Sequence, residues 1–492
     1  MSRLTATDYF KFFHCPHWAF YDWHATDEEK HLKREQTDEE KQRQEDGVLH
    51  EKKVVESMFA EEHLVEMDLH PASMEEAFQK TLTTMQSGAN FIYQGTLIDG
   101  DWIGRPDILE KRAGKSKFGD WHYMPVDVKS SQELKKYQKF QLTFYAVLLQ
   151  KIQGRLPAEG AIVNIDHHRL PYRIEEHLTE FIEVTEKLEA IRHGERPDPV
   201  LRKSCFDVGL WGKACEKLAH DTDDISQLYN ISVRLLEALR AVGIRTVTDA
   251  SEMDPEAIEV KTEGKLSLRM LMRAKLQALS LKFGTVFIRS AIDLPKDGLE
   301  IHFDIESSPG RDMDYLYGFL IREPDESTGK TTDTYKAFVA REEDGEAKMW
   351  REFLAWVETL PEKYVIYHYA TYEKARLSVL SKRHGGSEAL DRFRECMIDL
   401  SEMVSSSAVF PLYFYGLKQV APFLGFEWSS HVKSGGASVG AFEKYLETKH
   451  EELMDDLLTY NEDDVRATAV LKDWLVTYGK EDALYPPPYP WK

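Results

Sequence analysis

A chain of 492 residues with 42% hydrophobic and 11% aromatic side chains can bury real cores, which excludes a disordered polypeptide; ordinary domain sizes predict about three domains. The formal net charge of −22 excludes a broad basic face for duplex DNA. Any contact with nucleic acid is therefore expected to be local, in a groove or around bound metal ions.

The amino terminus, MSRLTATDYFKFFHCPHW, carries charged and polar residues throughout and lacks the apolar stretch of a signal peptide. No run approaches the ~18 apolar residues of a membrane span. The expectation is a cytoplasmic protein without membrane contact. Its four cysteines, Cys15, Cys205, Cys215 and Cys396, are then thiols or metal ligands and not disulfides.

Residues 28–46 are charged and helix-favouring, and GVLHEKKVVESMF (47–59) has the pattern of an amphipathic helix. Residues 91–129 switch to strand periodicity. FIYQGTLI, a turn at Asp99–Gly100, WIGRPDILEKR and WHYMPVDVKS read as a three-strand antiparallel meander. Residues 133–152 predict a helix, AIVNIDHH a strand, and 174–193 a long helix. Short helices fill 222–283, with a turn at Gly243–Ile244. Residues 284–298, rich in Pro, Gly and Asp, read as a linker loop. From 299 onward strands and helices alternate, which predicts a mixed α/β domain. The PPPYP tail (486–490) reads as extended and peripheral.

In YNEDDVRAT (460–468), a helical wheel puts Leu457, Tyr460, Asp464, Thr468, Leu471 and Leu475 on one face, with Glu462 and Asp463 pointing outward. A buried carboxylate costs several kcal/mol unless it finds a cation, a metal or a proton. A salt-bridged core aspartate is the bland alternative. In GLEIHFDIESS (298–308), Ile301, Phe303 and Ile305 take one face of a strand and His302, Asp304 and Glu306 the other. The two carboxylates then stand roughly 7 Å apart along the strand. KYVIYHYATYEKARLSVL (363–380) runs from strand to helix, with Glu373, Leu377 and Leu380 on one stripe. Four inward acids, Asp304, Glu306, Glu373 and Asp464, form an oxygen-rich set of the kind that binds Mg²⁺ or Mn²⁺. Two such ions about 4 Å apart suit phosphodiester hydrolysis.

FDIES, HYATYE and YNEDD resemble the three motifs of the DEDD exonucleases of the ribonuclease H-like fold, in the tyrosine subclass. The resemblance implies that Asp304, Glu306 and Asp464 bind metal and that Tyr460 orients the attacking water. Glu373 stands where that family usually has aspartate. GLKQVAPFLGFEW (416–428) resembles the helix between the second and third motifs. His302, His368 and Asp399 are expected to have structural roles.

A second set lies upstream. In YMPVDVKSS, Asp127 and Lys129 share one strand face, and Asp107 lies on the preceding strand. His50 is in the helix before, and Gln141 and Tyr145 lie four apart on the helix after. Ordinary surface ion pairs are the alternative for the aspartates and the lysine. The order on helix, strand, strand and helix resembles the RecB-type nucleases of the PD-(D/E)xK fold, including the CRISPR-adaptation exonucleases of that group. That implies metal binding by His50, Asp107 and Asp127. Lys129 would activate water or stabilise developing phosphorane charge, with Gln141 and Tyr145 supporting the site or touching DNA. Many such relatives hold an iron–sulfur cluster on four cysteines. Cys15, Cys205 and Cys215 fit three of those places, and Val208 stands where the remaining one is expected. Three thiolates with a different fourth ligand and a cluster-free remnant are both open. ISVRLLEALRAVGIRTVTDASEM (231–253) resembles the second half of a helix-hairpin-helix unit, with Asn230-Ile231-Ser232 in place of the usual glycine pair; phosphate binding and a packing spacer are both open.

The whole chain resembles a bacterial family of RecB-like nucleases that join these two kinds of domain. The expected fold is therefore α/β multidomain: a PD-(D/E)xK domain over 1–218, a small helical connector over 219–290, a ribonuclease H-like domain over 291–480 and a tail over 481–492. The expected function is metal-dependent hydrolysis of DNA or RNA, single-stranded or at ends, with a 3′–5′ exonuclease site and a second DNA nuclease site. The competing expectations are a nucleic-acid-binding platform with one or both sites inactive, and a scaffold for a helicase or recombination partner.

Overall fold

Glycines decide where the alternating residues between Phe91 and Val128 break into strands. The computed structural model describes residues 2–59, 64–68, 71–129, 131, 134–295, 298–325 and 330–492. By contact the chain divides into two units, Met1–Asp221 and Thr222–Lys492.

The first unit holds strands β1 (Leu64–Glu66), β2 (Phe91–Tyr93), β3 (Leu97–Asp99), β4 (Trp102–Gly104), β5 (Ile108–Ser116), β6 (Gly119–Val128), β7 (Glu159–Val163) and β8 (Arg169–Arg173). Six of them form one sheet in the order β1-β2-β5-β6-β7-β8, and β3 and β4 pair separately. The expected meander survives as antiparallel β2, β5 and β6. It is interrupted by the β3–β4 hairpin because the chain turns away at Gln94, with φ of 55°, and Gly95. A Cβ on Gly95 would stand 2.8 Å from Leu109 Cδ1, so no side chain fits at the turn. β7 runs parallel to β6, reached through the helix Lys136–Gln153. Val54 and Val55, from the helix Asp38–Phe59, pack on Ile108, Met124, Val126 and Val128. Leu142 and Ala146 pack with Ile162 and Tyr172 in a second cluster.

The second unit holds β9 (Val286–Ile288), β10 (Leu299–Ser308), β11 (Met313–Asp325), β12 (Lys330–Val339), β13 (Tyr364–His368), β14 (Met397–Asp399), β15 (Ala408–Val409) and β16 (Leu484–Tyr485). The main sheet has the order β12-β11-β10-β13-β14. β12, β11 and β10 are antiparallel, while β13 lies parallel to β10 and β14 parallel to β13. The alternation expected in β10 holds. Ile301, Phe303 and Ile305 enter the core with Phe353 of the helix Glu346–Val357, and Phe303 stacks on Phe319 at 4.6 Å. The opposite face meets the 28-residue helix Glu451–Tyr478.

Two expectations are corrected here. The segment read as a linker, 284–298, contains β9, whose Val286 and Ile288 are buried because β15 and β16 pair on its two sides; residues 296–297 of that segment lie outside the described residues. The tail is peripheral at its four exposed prolines but anchored at Tyr489 and, just beyond PPPYP, at Trp491. Tyr489 and Trp491 pack against Phe423, and Trp491 also meets Trp474, because their aromatic area is large enough to close that core. The helices Val233–Ala241, Val247–Glu252, Pro255–Lys261 and Leu268–Phe283 belong to this unit, and Tyr229 just before them stacks on Tyr415 at 3.8 Å. Among the described residues no helix is long and apolar enough to cross a membrane.

Phe353 touches Phe303, Phe319 and Phe393 and is fully buried. Phe353→Ala is expected to destabilise the second unit by about 3–5 kcal/mol, read as a lower midpoint in urea unfolding.

Candidate active site

β10 ends beside the long helix, and three carboxylates meet there. Asp304 and Glu306 come from β10, and Asp464 from the middle of the helix Glu451–Tyr478. Their oxygens lie within 4.8 Å of one another. A register shift in the β10–β11 pairing falls between Glu306 and Ser307, where the strand turns its last acid toward the helix. Asp464 sits in the apolar stripe with Leu457, Tyr460, Thr468, Leu471 and Leu475, all buried, as the wheel predicts.

The cluster is poor in positive charge. Lys418 Nζ pairs with Asp464 and lies over the rings of Tyr460 and Trp428, 4.2 and 4.1 Å from their centroids. Trp428 Nε1 also donates to Asp464, at 2.7 Å. Glu306 accepts from Ser438 Oγ at 2.7 Å, and Tyr315 lies 2.5 Å behind that hydroxyl. Asp304 accepts from Asn461 Nδ2 at 2.8 Å. Enclosure by the protein, with the neighbouring carboxylates next, pushes Asp304 well above the usual carboxylate range. Burial and then Asp464 push Glu306 up to about 8. Burial also raises Asp464, against the pull of Lys418. Three carboxyls this close, with one lysine beside them, are biased toward their protonated forms unless a cation enters between them. Their hard oxygen donors fit Mg²⁺ or Mn²⁺.

Glu373 is buried at the start of the helix Tyr372–His384, but it pairs with His368 Nδ1 at 3.2 Å and is not part of the tight triad. Its charge still acts on Asp304. His302 binds Glu300 at 2.8 Å. Asp399 caps the helix Leu400–Ser407 through Ser401 N and accepts from Ala370 N. Tyr460 is buried, and its side chain acts on Asp464 to offset part of the rise that burial causes.

Asp463, expected to point outward, is buried instead. It accepts from the backbone N–H of Ser429 and Ser430 at 2.7 and 2.9 Å, because the loop after Trp428 folds over that side of the helix. Asn461, Ser438, Lys418 and Trp428 were not singled out from the sequence. The signal for Asn461 lies on another strand. Gly318 is opposite Asp304 in the β10–β11 register, and a Cβ there would stand 1.5 Å from Asn461 Oδ1. Only glycine leaves room for the amide that bonds Asp304 and accepts from Tyr335 Oη at 2.9 Å.

In the first unit, Asp107 and Asp127 sit side by side on β5's leading edge and β6. Asp127 accepts from Asp107 N at 3.2 Å, and Asp107 accepts from Val128 N at 2.7 Å. Lys129 Nζ lies 3.0 Å from Asp127 and 3.7 Å from Asp107. Burial, then Asp127, pushes Asp107 well up. Despite burial, the two aspartates hold Lys129 above its ordinary value. Burial and the charges of Asp127 and Asp107 raise Tyr145, whose ring backs onto Gly104; a Cβ there would be 2.8 Å away. Gln141 Oε1 is buried without a partner. His50 faces His167, ring to ring at 6.2 Å, and its Nε2 has no partner. His50, Asp107 and Asp127 do not form a group as tight as the carboxylate triad. The helix instead aims Glu51 at the aspartates. Glu51 accepts from Gln94 Nε2 at 2.5 Å, and its charge acts on both Asp107 and Lys129. Adjacent helical residues point about 100° apart, so Glu51 turns toward Gln94 and His50 toward His167.

A family model described as the RNase H superfamily matches residues 301–476, which run from β10 through most of the long helix. The carboxy-terminal part of the chain thus carries an RNase H superfamily domain, which suggests nuclease-like activity and divalent metal use. No curated protein matches the chain.

Gly318→Ala is expected to push Asn461 off Asp304 and to weaken Mn²⁺ binding about 10–100-fold, read by calorimetric titration. A second expectation concerns pH. The folded Glu306 carboxyl, near 8, keeps a proton that the unfolded chain releases near 4.5. In EDTA its stabilising contribution is full below about pH 4.5 and lost as pH rises through 8, so Tm should fall across that window. Glu306→Gln should flatten the fall, and Mn²⁺ should reverse it.

Proposed function

We propose that the chain is a metal-dependent nuclease whose RNase H-like domain removes nucleotides from the 3′ ends of DNA or RNA. The observation that carries this reading is the convergence of Asp304, Glu306 and Asp464 within 4.8 Å, with Lys418 as the cation that pairs with the group. Bound there, Mg²⁺ or Mn²⁺ would polarise the scissile phosphate and lower the pKa of a water. Asp304 and Glu306 would hold it from the strand, Asp464 from the helix, and Glu373 would complete the set beside His368. Tyr460, on the same helix face one turn before Asp464, would orient the attacking water through its hydroxyl. Lys418 would give up Asp464 and offer its charge to the phosphate.

In the first unit the pair Asp107 and Asp127, with Glu51, would form a second metal site of RecB type, and Lys129 would stabilise the charge that builds on the phosphorus oxygens. His50, Gln141 and Tyr145 would line its rim. A local polyanion site also fits the acidic chain. Arg269 and Arg273, one turn apart on the helix Leu268–Phe283, and Arg289 after β9 crowd one another; burial and then the charges of Arg273 and Arg269 lower Arg289.

The test is degradation of single-stranded DNA and RNA labelled at either end, with Mn²⁺ or with EDTA. The wild type is expected to yield a metal-dependent 3′ ladder. Asp304→Ala should slow that ladder by about 100-fold or more, as the loss of a metal ligand removes the phosphate's polarising charge. Asp127→Ala should spare the ladder and remove any remaining cuts. A wild type that degrades nothing with any divalent metal, yet binds the strands, would replace this reading with a binding platform.

A further inference from the structure

The first unit also holds a group of metal-ligand side chains of a different kind. Cys15 stands at the junction of the helices Ala6–His14 and Pro16–His24. Cys205 lies in the short helix Ser204–Asp207, and Cys215 in the helix Gly212–Asp221. All three are buried, and their sulfurs lie within 4.8 Å of one another, Cys15 and Cys215 at 3.4 Å. The turn between the last two is wound tightly. A Cβ on Gly209 or Gly212 would come within 2.7 or 2.8 Å of the Cys205 carbonyl. That winding holds Cys205 and Cys215, ten positions apart, at one point.

The spacing argues against a four-iron form of the iron–sulfur cluster that the family resemblance leaves open. In such a cluster each thiolate binds its own iron, so the sulfurs stand apart by more than an iron–iron separation. Two donors 2.3 Å from a single ion at the tetrahedral angle are about 3.8 Å apart, close to what is seen here. Val208, where the remaining cluster cysteine was expected, supplies no thiolate; its carbonyl accepts from Arg34.

A fourth donor lies two residues from Cys15. His17 is fully buried. Its Nε2 is 3.1 Å from the Asp198 carbonyl, which fixes the proton on that nitrogen and leaves the Nδ1 lone pair free. Nδ1 is buried with no hydrogen-bond partner, and the ring is near enough to Cys205 for a charge there to act on it. A buried imidazole nitrogen left unpaired costs about 1–3 kcal/mol and calls for an occupant. His17 stands outside the 4.8 Å set, so ligation would turn the ring toward the sulfurs about its Asp198 contact.

We propose that Cys15, Cys205, Cys215 and His17 Nδ1 hold one tetrahedral zinc-type ion, which ties the amino-terminal helices to residues 205–215. On binding, the thiol protons leave to solvent, and no electron is transferred. The site is independent of the nuclease reading.

The test uses the full chain purified without oxygen. Elemental analysis is expected to find about one zinc per chain and no acid-labile sulfide. Exchange into Co²⁺ is expected to give the intense visible bands of a four-coordinate ion together with sulfur-to-cobalt charge transfer. Cys205→Ser should abolish those bands, and Cys396→Ser should leave them unchanged. His17→Ala should weaken Co²⁺ binding by at least about tenfold, the loss that even an outer-shell partner causes, and should shift the bands. Iron with stoichiometric sulfide would overturn the proposal. So would a wild-type chain that binds no Co²⁺ while all three thiols alkylate, or a His17→Ala spectrum identical to wild type. The wild-type measurements do not depend on whether any variant folds.

Discussion

Repulsion among Asp304, Glu306 and Asp464 is the constraint around which the second unit is arranged. Bringing three carboxylates together costs more than any one surrounding contact returns, so the fold must make the approach unavoidable. It does so by fixing both carriers. β10 is the middle strand of the main sheet, held between β11 and β13, and its Ile301, Phe303 and Ile305 are locked into an aromatic core. The 28-residue helix is buried along Leu457, Val465, Leu471 and Leu475. Neither element can move the acids apart without breaking a packed face.

The surrounding polar groups then hold each carboxylate in one orientation. Asn461 holds Asp304, Ser438 backed by Tyr315 holds Glu306, and Trp428 with Lys418 holds Asp464. Each comes from a different segment, so the orientation of the oxygens is set before any ligand arrives. The site in the first unit uses a sparer version of the same logic: paired aspartates on neighbouring strands, with Lys129 between them and Glu51 from a helix.

Much of this was legible in the sequence where one element's periodicity decides the answer. The alternation of β10 and the position of Asp464 follow from strand and helix geometry alone. The misses share a cause, which is partnership at long range. Asp463 turns out buried because a loop thirty-odd residues upstream folds over it, and the wheel cannot know about that loop. Asn461 reads as a polar residue among acids, and its meaning depends on Gly318 across the sheet. Glu51 reads as one more charge on a polar helix, and its approach to the aspartates depends on strands far along the chain. β9 is three residues long within a Pro/Gly-rich segment, and its strand character is conferred by β15 and β16, more than a hundred positions away.

The position of β9 carries a consequence for how the chain can be cut. β16 follows β9 at long range in the chain and covers one side of it. A chain clipped before Leu484 would bare a row of unpaired N–H and C=O groups, flanked by Trp474 and Tyr478 that have lost Trp491. Such an edge is a template for pairing with another chain. Residues 484–491 thus guard β9 against pairing with another chain.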